Sequence, residues 1–319
     1  MRYRVLNMSD TEACPGVFAP LERIAEVVSA PADPEALRRM LPEFDAYFAT
    51  LHVRAEADMM ERAKRLRVIA TPTTGLDHID LAAAARRNVT ILSLKDDTEF
   101  LDRITATAEL AWGLLLATVR RLPWAFEAAR RGEWARDRFR GRQLSLKTLG
   151  VLGYGRLGKM VARFGLAFRM RVLACDVRAV TPDEGVTMVD FGTLLAESDV
   201  LSVHVHLTDE NRGLLDAKAF AKMKPGAVLV NTSRGAIVEE AALLAALESG
   251  RLAGAGLDVI CGEWDVNLAG HPLIRYASAH ENLVISPHVG GVTYESQQMA
   301  MEHTVGKLVR FLKGLHEPK

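Results

Sequence analysis

Over the first hundred residues, short apolar runs alternate with segments whose apolar positions recur at helical spacing. The runs YRVLNM, AEVVSA, DAYFAT, RVIATP and VTILSL predict strands, and DPEALRRML, EADMMERAKRL and DLAAAARRN predict the helices between them. Parallel neighbours need a crossover, and crossover helices cover both faces of the sheet they serve, so the alternation predicts a parallel sheet. A longer helix is predicted over residues 99–121, where Leu101, Ile104, Ala108, Ala111, Leu115 and Val119 share one face and Pro123 ends the pattern. From residue 147 a second series begins: KTLGVLGYG, RVLACD, VTMVD, VLSVHV, AVLVNTS, LAGAGLDV and LVISPH. These seven strands with helices between them predict a doubly wound nucleotide-binding domain. VTYESQQMAMEHTVGKLVRFLKGL predicts one more helix, and no internal repeat or low-complexity linker interrupts the chain.

The first strand of the second series runs into GVLGYGRLGKMVARFG, which places Gly153, Gly155 and Gly158 in the spacing G-x-G-x-x-G at the opening of a helix. The first glycine permits a tight turn, the second lets backbone approach a pyrophosphate, and the third lets helix and strand pack closely. The next strand ends in Asp176, eighteen residues after Gly158, where a carboxylate would bind a ribose 2′-hydroxyl. Strand, helix and acid together predict a dinucleotide site. Asp176 favours NAD(H) over NADP(H), because it repels a 2′-phosphate; Arg178 is the counter-indication, since an arginine there would attract one.

Three further groups follow predicted strands of this domain: Arg234 after VLVNTS, Glu263 after GAGLDVICG and His288 after LVISP. Taken singly, each reads better as a surface or turn residue. Together, at the carboxyl ends of strands in a doubly wound sheet, they supply an anion clamp, a proton-transfer group and a carboxylate to orient it. Hydride transfer to a 2-keto acid needs that set. Arg234 at the end of a buried strand offers a planar fork to a carboxylate, and Gly235 is expected to supply the backbone freedom for the turn that follows.

Composition narrows the classes. With 40 basic and 40 acidic residues, no overall charge draws the chain to nucleic acid or an anionic membrane. The longest apolar run, LAWGLLLATV, is ten residues, too short to span a bilayer, and the amino terminus enters a strand pattern directly. Cys14, Cys175 and Cys261 are odd in number and lack metal-ligand spacing, so no metal site is expected and a cytoplasmic setting is. The segment RRGEWARDRFRGR, residues 130–142, with six arginines, reads either as a phosphate or partner site or as a solvated charged loop.

The motifs TTGLDHIDL, TAELAWGLLLA, GYGRLG, KPGAVLVNTSRGAIVEEAALLAAL, GAGLDV and SPHVGG, in that order and spacing, span nearly the whole chain. On these the sequence resembles the D-isomer-specific 2-hydroxyacid dehydrogenases, the family that includes D-3-phosphoglycerate dehydrogenase. The resemblance implies an NAD-dependent enzyme interconverting a 2-keto acid and a D-2-hydroxy acid, with Arg234, Glu263 and His288 as catalytic residues. It implies substrate contacts from Thr74 and Gly75 as well as Arg234 and His288. It places Thr74, Arg156, Leu157, Asp176, Thr232, Arg234, Asp258, His288 and Gly291 at cofactor contacts beside the three glycines. It further implies two α/β domains: a discontinuous, flavodoxin-like substrate domain of residues 1–100 and 290–319, and a Rossmann NAD-binding domain of residues 101–289. The active site is expected in the cleft between them, with a homodimer as the assembly.

Three departures from the family pattern stand out. His206 occupies a position often held by proline, as a pocket group or as a plain loop residue. Trp264 follows Glu263 where proline is common, so the loop beyond should be reshaped. The chain also stops about thirty residues after His288, so the regulatory extension of long phosphoglycerate dehydrogenases, with its serine feedback, is not expected. Two other functions share the fold. A dinucleotide-sensing corepressor is disfavoured by the lack of an evident peptide-docking tail. Formate oxidation is disfavoured because that branch pairs its histidine with glutamine, and Glu263 stands here.

Overall fold

In the first five apolar runs, alternate apolar side chains pack on opposite faces of one sheet, buried in the three central runs and partly buried in the two edge runs, which is why the runs are not polar at every second position. The strands are β1 (Tyr3–Asn7), β2 (Ala25–Ser29), β3 (Ala46–Phe48), β4 (Val68–Ala70) and β5 (Thr90–Leu92). All pair in parallel, in the order β2-β1-β3-β4-β5, the flavodoxin-like arrangement. Leu6, Tyr47 and Ile69 pack on one face with Leu37, Met59 and Met60. Val5, Ala46, Phe48 and Val68 pack on the other with Val305, Leu308 and Leu312 of the last helix, Tyr294–Gly314. The computed structural model describes residues 2–264 and 267–315. Its internal contacts divide the chain into two units, residues 1–104 with 292–319 and residues 105–291.

The second unit carries β6 (Thr148–Leu152), β7 (Arg171–Cys175), β8 (Val186–Met188), β9 (Val200–Val203), β10 (Ala227–Asn231), β11 (Leu252–Leu257) and β12 (Leu283–Ile285). Their order is β12-β11-β10-β9-β6-β7-β8, all parallel, which is the Rossmann order with one strand added at the edge. The strand order reverses between β6 and β9, so the crevice where ligands bind such sheets opens at the carboxyl ends of those two strands. Val228 and Val230 face the helix Ala106–Val119, while Ala227 and Leu229 face the opposite cluster with Phe220 and Leu243.

Two local readings are corrected. The continuous helix expected over residues 99–121 is two helices, Thr98–Leu101 and Ala106–Val119. Arg103 and Ile104 donate their amides three residues back, to Phe100 and Leu101, and the Thr105 carbonyl then receives the first amides of the next helix. The apolar spacing is continuous through this break, and the boundary between the units falls within it, at 104/105. Pro123 does not merely stop a helix: after Arg121 in the left-handed conformation, φ 55°, it opens a further helix, Leu122–Arg130.

The arginine-rich segment is exposed and ion-paired. Arg131 meets Glu127 and Glu133, Arg138 meets Glu133 and Glu281, and Arg142 donates to the Gly226 carbonyl. Among the described residues, no helix is long and apolar enough to cross a membrane.

Candidate active site

The turn after β6 is shaped by two of its glycines. Gly153 has φ +92°, and a Cβ there would lie 2.6 Å from the His204 carbonyl oxygen; a Cβ on Gly158 would lie 2.0 Å from that of Gly153. Around Gly155 there is room, the nearest atom to a Cβ being Arg178 Nη2 at 3.6 Å. Gly155 caps the helix Arg156–Ala167, whose first turn holds Arg156 and Leu157, so free amides face the crevice.

At the end of β7 the Asp176 carboxylate accepts from Tyr154 N at 2.8 Å, inside the glycine turn, and from Arg178 N at 2.9 Å. The Arg178 guanidinium closes on it with Nε and Nη2 both at 3.0 Å. Those side-chain hydrogen bonds from Arg178 are the main reason the carboxyl lies below its usual range. The acid that would receive a ribose is thus covered by the cation that would receive a 2′-phosphate.

Across the reversal point, the ends of β9 and β10 carry two orphaned polar atoms. Among the described residues, His204 Nδ1 and Thr232 Oγ1 are buried without a hydrogen-bond partner. His204 Nε2 lies 2.8 Å from Ser202 Oγ, and burial pulls the ring down to a pKa of about 4, so it is neutral near pH 7. Buried polar atoms left open in a native fold call for an explanation. A bound dinucleotide supplies one: the glycine cradle, the helix amides, Asp176 and the two open atoms suit pyrophosphate, ribose and amide groups. His204 was not singled out from the sequence; only its position one strand from the glycine turn marks it.

Arg234 sits where β10 turns away. The Asn231 side chain bridges this turn, accepting from Ser233 N at 3.0 Å and donating to the Arg234 carbonyl at 2.9 Å, while Arg234 Nη1 donates to Ser233 O at 2.8 Å. The expected reason for Gly235 is corrected. Its φ is not in the left-handed region; a Cβ there would stand 2.2 Å from the Ile260 carbonyl carbon and 2.5 Å from Cys261 N. The glycine exists because backbone after β11 presses on backbone after β10.

That second backbone leads to Glu263. Glu263 Oε1 meets His288 Nδ1 at 2.7 Å, with both side chains less than a fifth exposed. His288 itself has φ 53°, a conformation that costs a non-glycine residue about 1–2 kcal/mol. Asp258, at the end of β11, stabilises it: its carboxylate accepts from Ser286 Oγ at 2.6 Å, Val289 N at 2.9 Å and Gly290 N at 2.8 Å. Its carbonyl accepts from His288 N at 2.9 Å. Asp258, expected at a cofactor contact, is in addition a buried clamp on the turn that presents His288. Gly291 ends that turn in open space.

Thr74 and Gly75 lie in the first unit, in the loop after β4, where Thr73 Oγ1 donates to the Gly75 carbonyl at 2.8 Å. His206 is exposed, and its carbonyl accepts from Asn211 Nδ2 at 2.6 Å in the loop after β9.

Comparison with known proteins agrees with this architecture. The family profile described as D-isomer specific 2-hydroxyacid dehydrogenase, NAD binding domain, matches residues 112–290. The chain is 34% identical over 287 residues to a hydroxypyruvate reductase of Thermotoga maritima, covering 90% of this chain and 91% of the relative. It is 37% identical over 284 residues to a D-3-phosphoglycerate dehydrogenase of Archaeoglobus fulgidus, covering 88% of this chain but 52% of that protein, about half its length. A crystal structure of D-lactate dehydrogenase from Aquifex aeolicus, complexed with NAD and lactic acid, superposes with a TM-score of 0.83 at 27% identity, covering 98% of this chain and 96% of the other. These relatives are enzymes, which favours the dehydrogenase reading over a cofactor-sensing regulator. The chain belongs to the D-isomer specific 2-hydroxyacid dehydrogenases, and its NAD-binding domain includes residues 112–290.

Proposed function

We propose that this protein interconverts a 2-keto acid and a D-2-hydroxy acid through Arg234 and the His288–Glu263 pair. The observation that carries the reading is the 2.7 Å contact between His288 Nδ1 and Glu263 Oε1, made by loops that follow adjacent strands β12 and β11. The glycine turn, Asp176 and the ends of β9 and β10 would hold NAD(H), which would supply or accept the hydride. Arg234 binds the substrate carboxylate and ketone oxygen through its planar fork, on a base that the Asn231 bridge has already ordered. Glu263 occupies Nδ1 and so leaves Nε2 for the substrate oxygen. As C2 is reduced, the imidazolium donates a proton to that oxygen, and in the reverse direction the neutral ring removes it. Thr74 and Gly75 are proposed as further carboxylate contacts, with Gly75→Ala expected to raise KM more than it lowers kcat.

The cofactor preference follows from Asp176. We propose that NAD(H) exceeds NADP(H) in kcat/KM by more than about tenfold, roughly 1.4 kcal/mol, because the carboxylate repels a 2′-phosphate. The test is NADH and NADPH oxidation with hydroxypyruvate, glyoxylate, pyruvate and 3-phosphohydroxypyruvate. Equal efficiency with both cofactors would hand the 2′-position to Arg178, and no turnover of any keto acid would sink the enzymatic reading. A homodimer is proposed as well, supported by the exposed Phe126, Trp134 and Leu146 on one stretch of the second unit and checked by light scattering.

A further inference from the structure

The loop after β11 puts two consecutive side chains on one imidazole. Gly262, at φ +66°, turns the chain so that Glu263 takes the edge of His288 and Trp264 takes its face. The indole and imidazole centroids are 5.6 Å apart with 26° between the planes, and Trp264 keeps 46% of its surface exposed. The loop that presents this pair is anchored at both ends by Glu240, in the first turn of the helix Glu240–Glu248. One oxygen of Glu240 accepts from Cys261 N at 2.7 Å; the other lies 3.3 Å from His271 Nε2, which also reaches the Cys261 carbonyl at 3.0 Å. His271 Nδ1 accepts from Leu273 N at 3.3 Å, so the ring caps the next helix while it ties the loop shut. Trp264 is therefore carried on a braced segment.

We propose that Trp264 is a specificity-determining and positioning residue: its indole fixes the plane of His288, and its exposed remainder forms an apolar wall for the substrate's C3 substituent. This rests on the role proposed above for His288. A ketone oxygen hydrogen-bonded to Nε2 at about 2.8 Å brings C3 to roughly 5 Å from the imidazole, within reach of a ring stacked on that imidazole. An indole rewards apolar or aromatic substituents and gives a phosphate nothing in exchange for the water it loses. The substrate class assigned is 2-keto acids with an apolar or aromatic side chain, ahead of phosphorylated ones.

The test compares kcat/KM with NADH for phenylpyruvate, 4-methyl-2-oxopentanoate and 3-phosphohydroxypyruvate in the native enzyme, Trp264→Phe and Trp264→Ala. The native enzyme should prefer phenylpyruvate to the phosphorylated acid by about tenfold or more. Trp264→Ala should reduce that ratio by about tenfold, mainly through the KM for phenylpyruvate, and Trp264→Phe should keep most of it. A ratio that stays constant across the three proteins, with all substrates slowed equally, would show a merely structural tryptophan and overturn the inference. A native preference for the phosphorylated acid would overturn it too. Failure of the native enzyme on every keto acid would instead condemn the underlying functional reading, so the two failures are distinct.

Discussion

The two sheets are built alike and end differently. In the five-stranded sheet, several polar groups at the strand ends bond one another: Asn7 Nδ2 donates to Ser9 O and Ser29 Oγ, and Thr71 Oγ1 meets Thr73 Oγ1 and His78 Nε2. In the seven-stranded sheet, the ends of β9 and β10 leave His204 Nδ1 and Thr232 Oγ1 open, and the turn after β12 holds a histidine in a left-handed conformation. A parallel sheet gathers loops at its carboxyl edge in either case. At the second sheet's edge, among the described residues, two buried polar atoms are withheld from neighbouring protein groups.

The comparison breaks most visibly at the proton-transfer pair. His288→Ala should lower kcat/KM about a thousandfold, the scale of a general acid–base group. Arg234→Lys keeps the charge but loses the fork, and should cost about a hundredfold, roughly 2.7 kcal/mol, with little change in NADH affinity. Either variant working at near-native rate would remove that residue from the mechanism. Glu263→Gln should be milder than His288→Ala and should lower kcat/KM about tenfold, because the ring loses the carboxylate that orients it. A Gln variant at the native rate, with substrate and cofactor saturation controlled, would refute the pairing.

Acid stability gives the next largest effect. His204 is held near a pKa of about 4 in the fold against 6.5 in the open chain. As pH falls through that window the unfolded chain takes up a proton that the fold refuses, so stability declines, by up to about 3 kcal/mol. His204→Asn should flatten this part of the pH dependence in denaturant titrations. An identical slope in the variant would mean that the buried ring is not its source.

The smallest effects sharpen the contrast between the sheets. Asn7→Ala breaks closed hydrogen bonds and should lower unfolding free energy by about 1–3 kcal/mol while leaving NADH binding alone. Thr232→Val removes an atom that bonds nothing in the described protein, so stability should hold, or rise, while NADH binds several-fold more weakly. Calorimetry on both variants would show the effects trading places; a Thr232→Val protein that loses stability and keeps its NADH affinity would erase the distinction.

Both sheets were legible in the sequence, because strands buried on two faces read as unbroken apolar runs. The meeting of His288 with Glu263 was legible too, since both were expected in the loops that follow two of these strands. What escaped depends on partners distant in the chain. The break near residue 103 leaves the apolar spacing intact. Gly235 looks like a turn glycine until the backbone at Ile260 and Cys261 is seen against it. The bonds of the Asp258 carboxylate to the turn 32 residues on are likewise invisible in the sequence around it. The stack of Trp264 on His288 is a meeting of two loops, and no local pattern encodes it.

The brace at Glu240 has a consequence for redox tolerance. Cys261 is exposed at the start of the loop that carries Glu263, a place where oxidation to a sulfenic acid would distort the site. Its thiol is pushed up to about 11, first by desolvation and then by the Glu240 carboxylate that also accepts its amide proton. Peroxides and alkylating agents attack the thiolate, and at neutral pH that form is a trace of the population. The carboxylate that steadies the loop therefore also passivates the sulfur beside it.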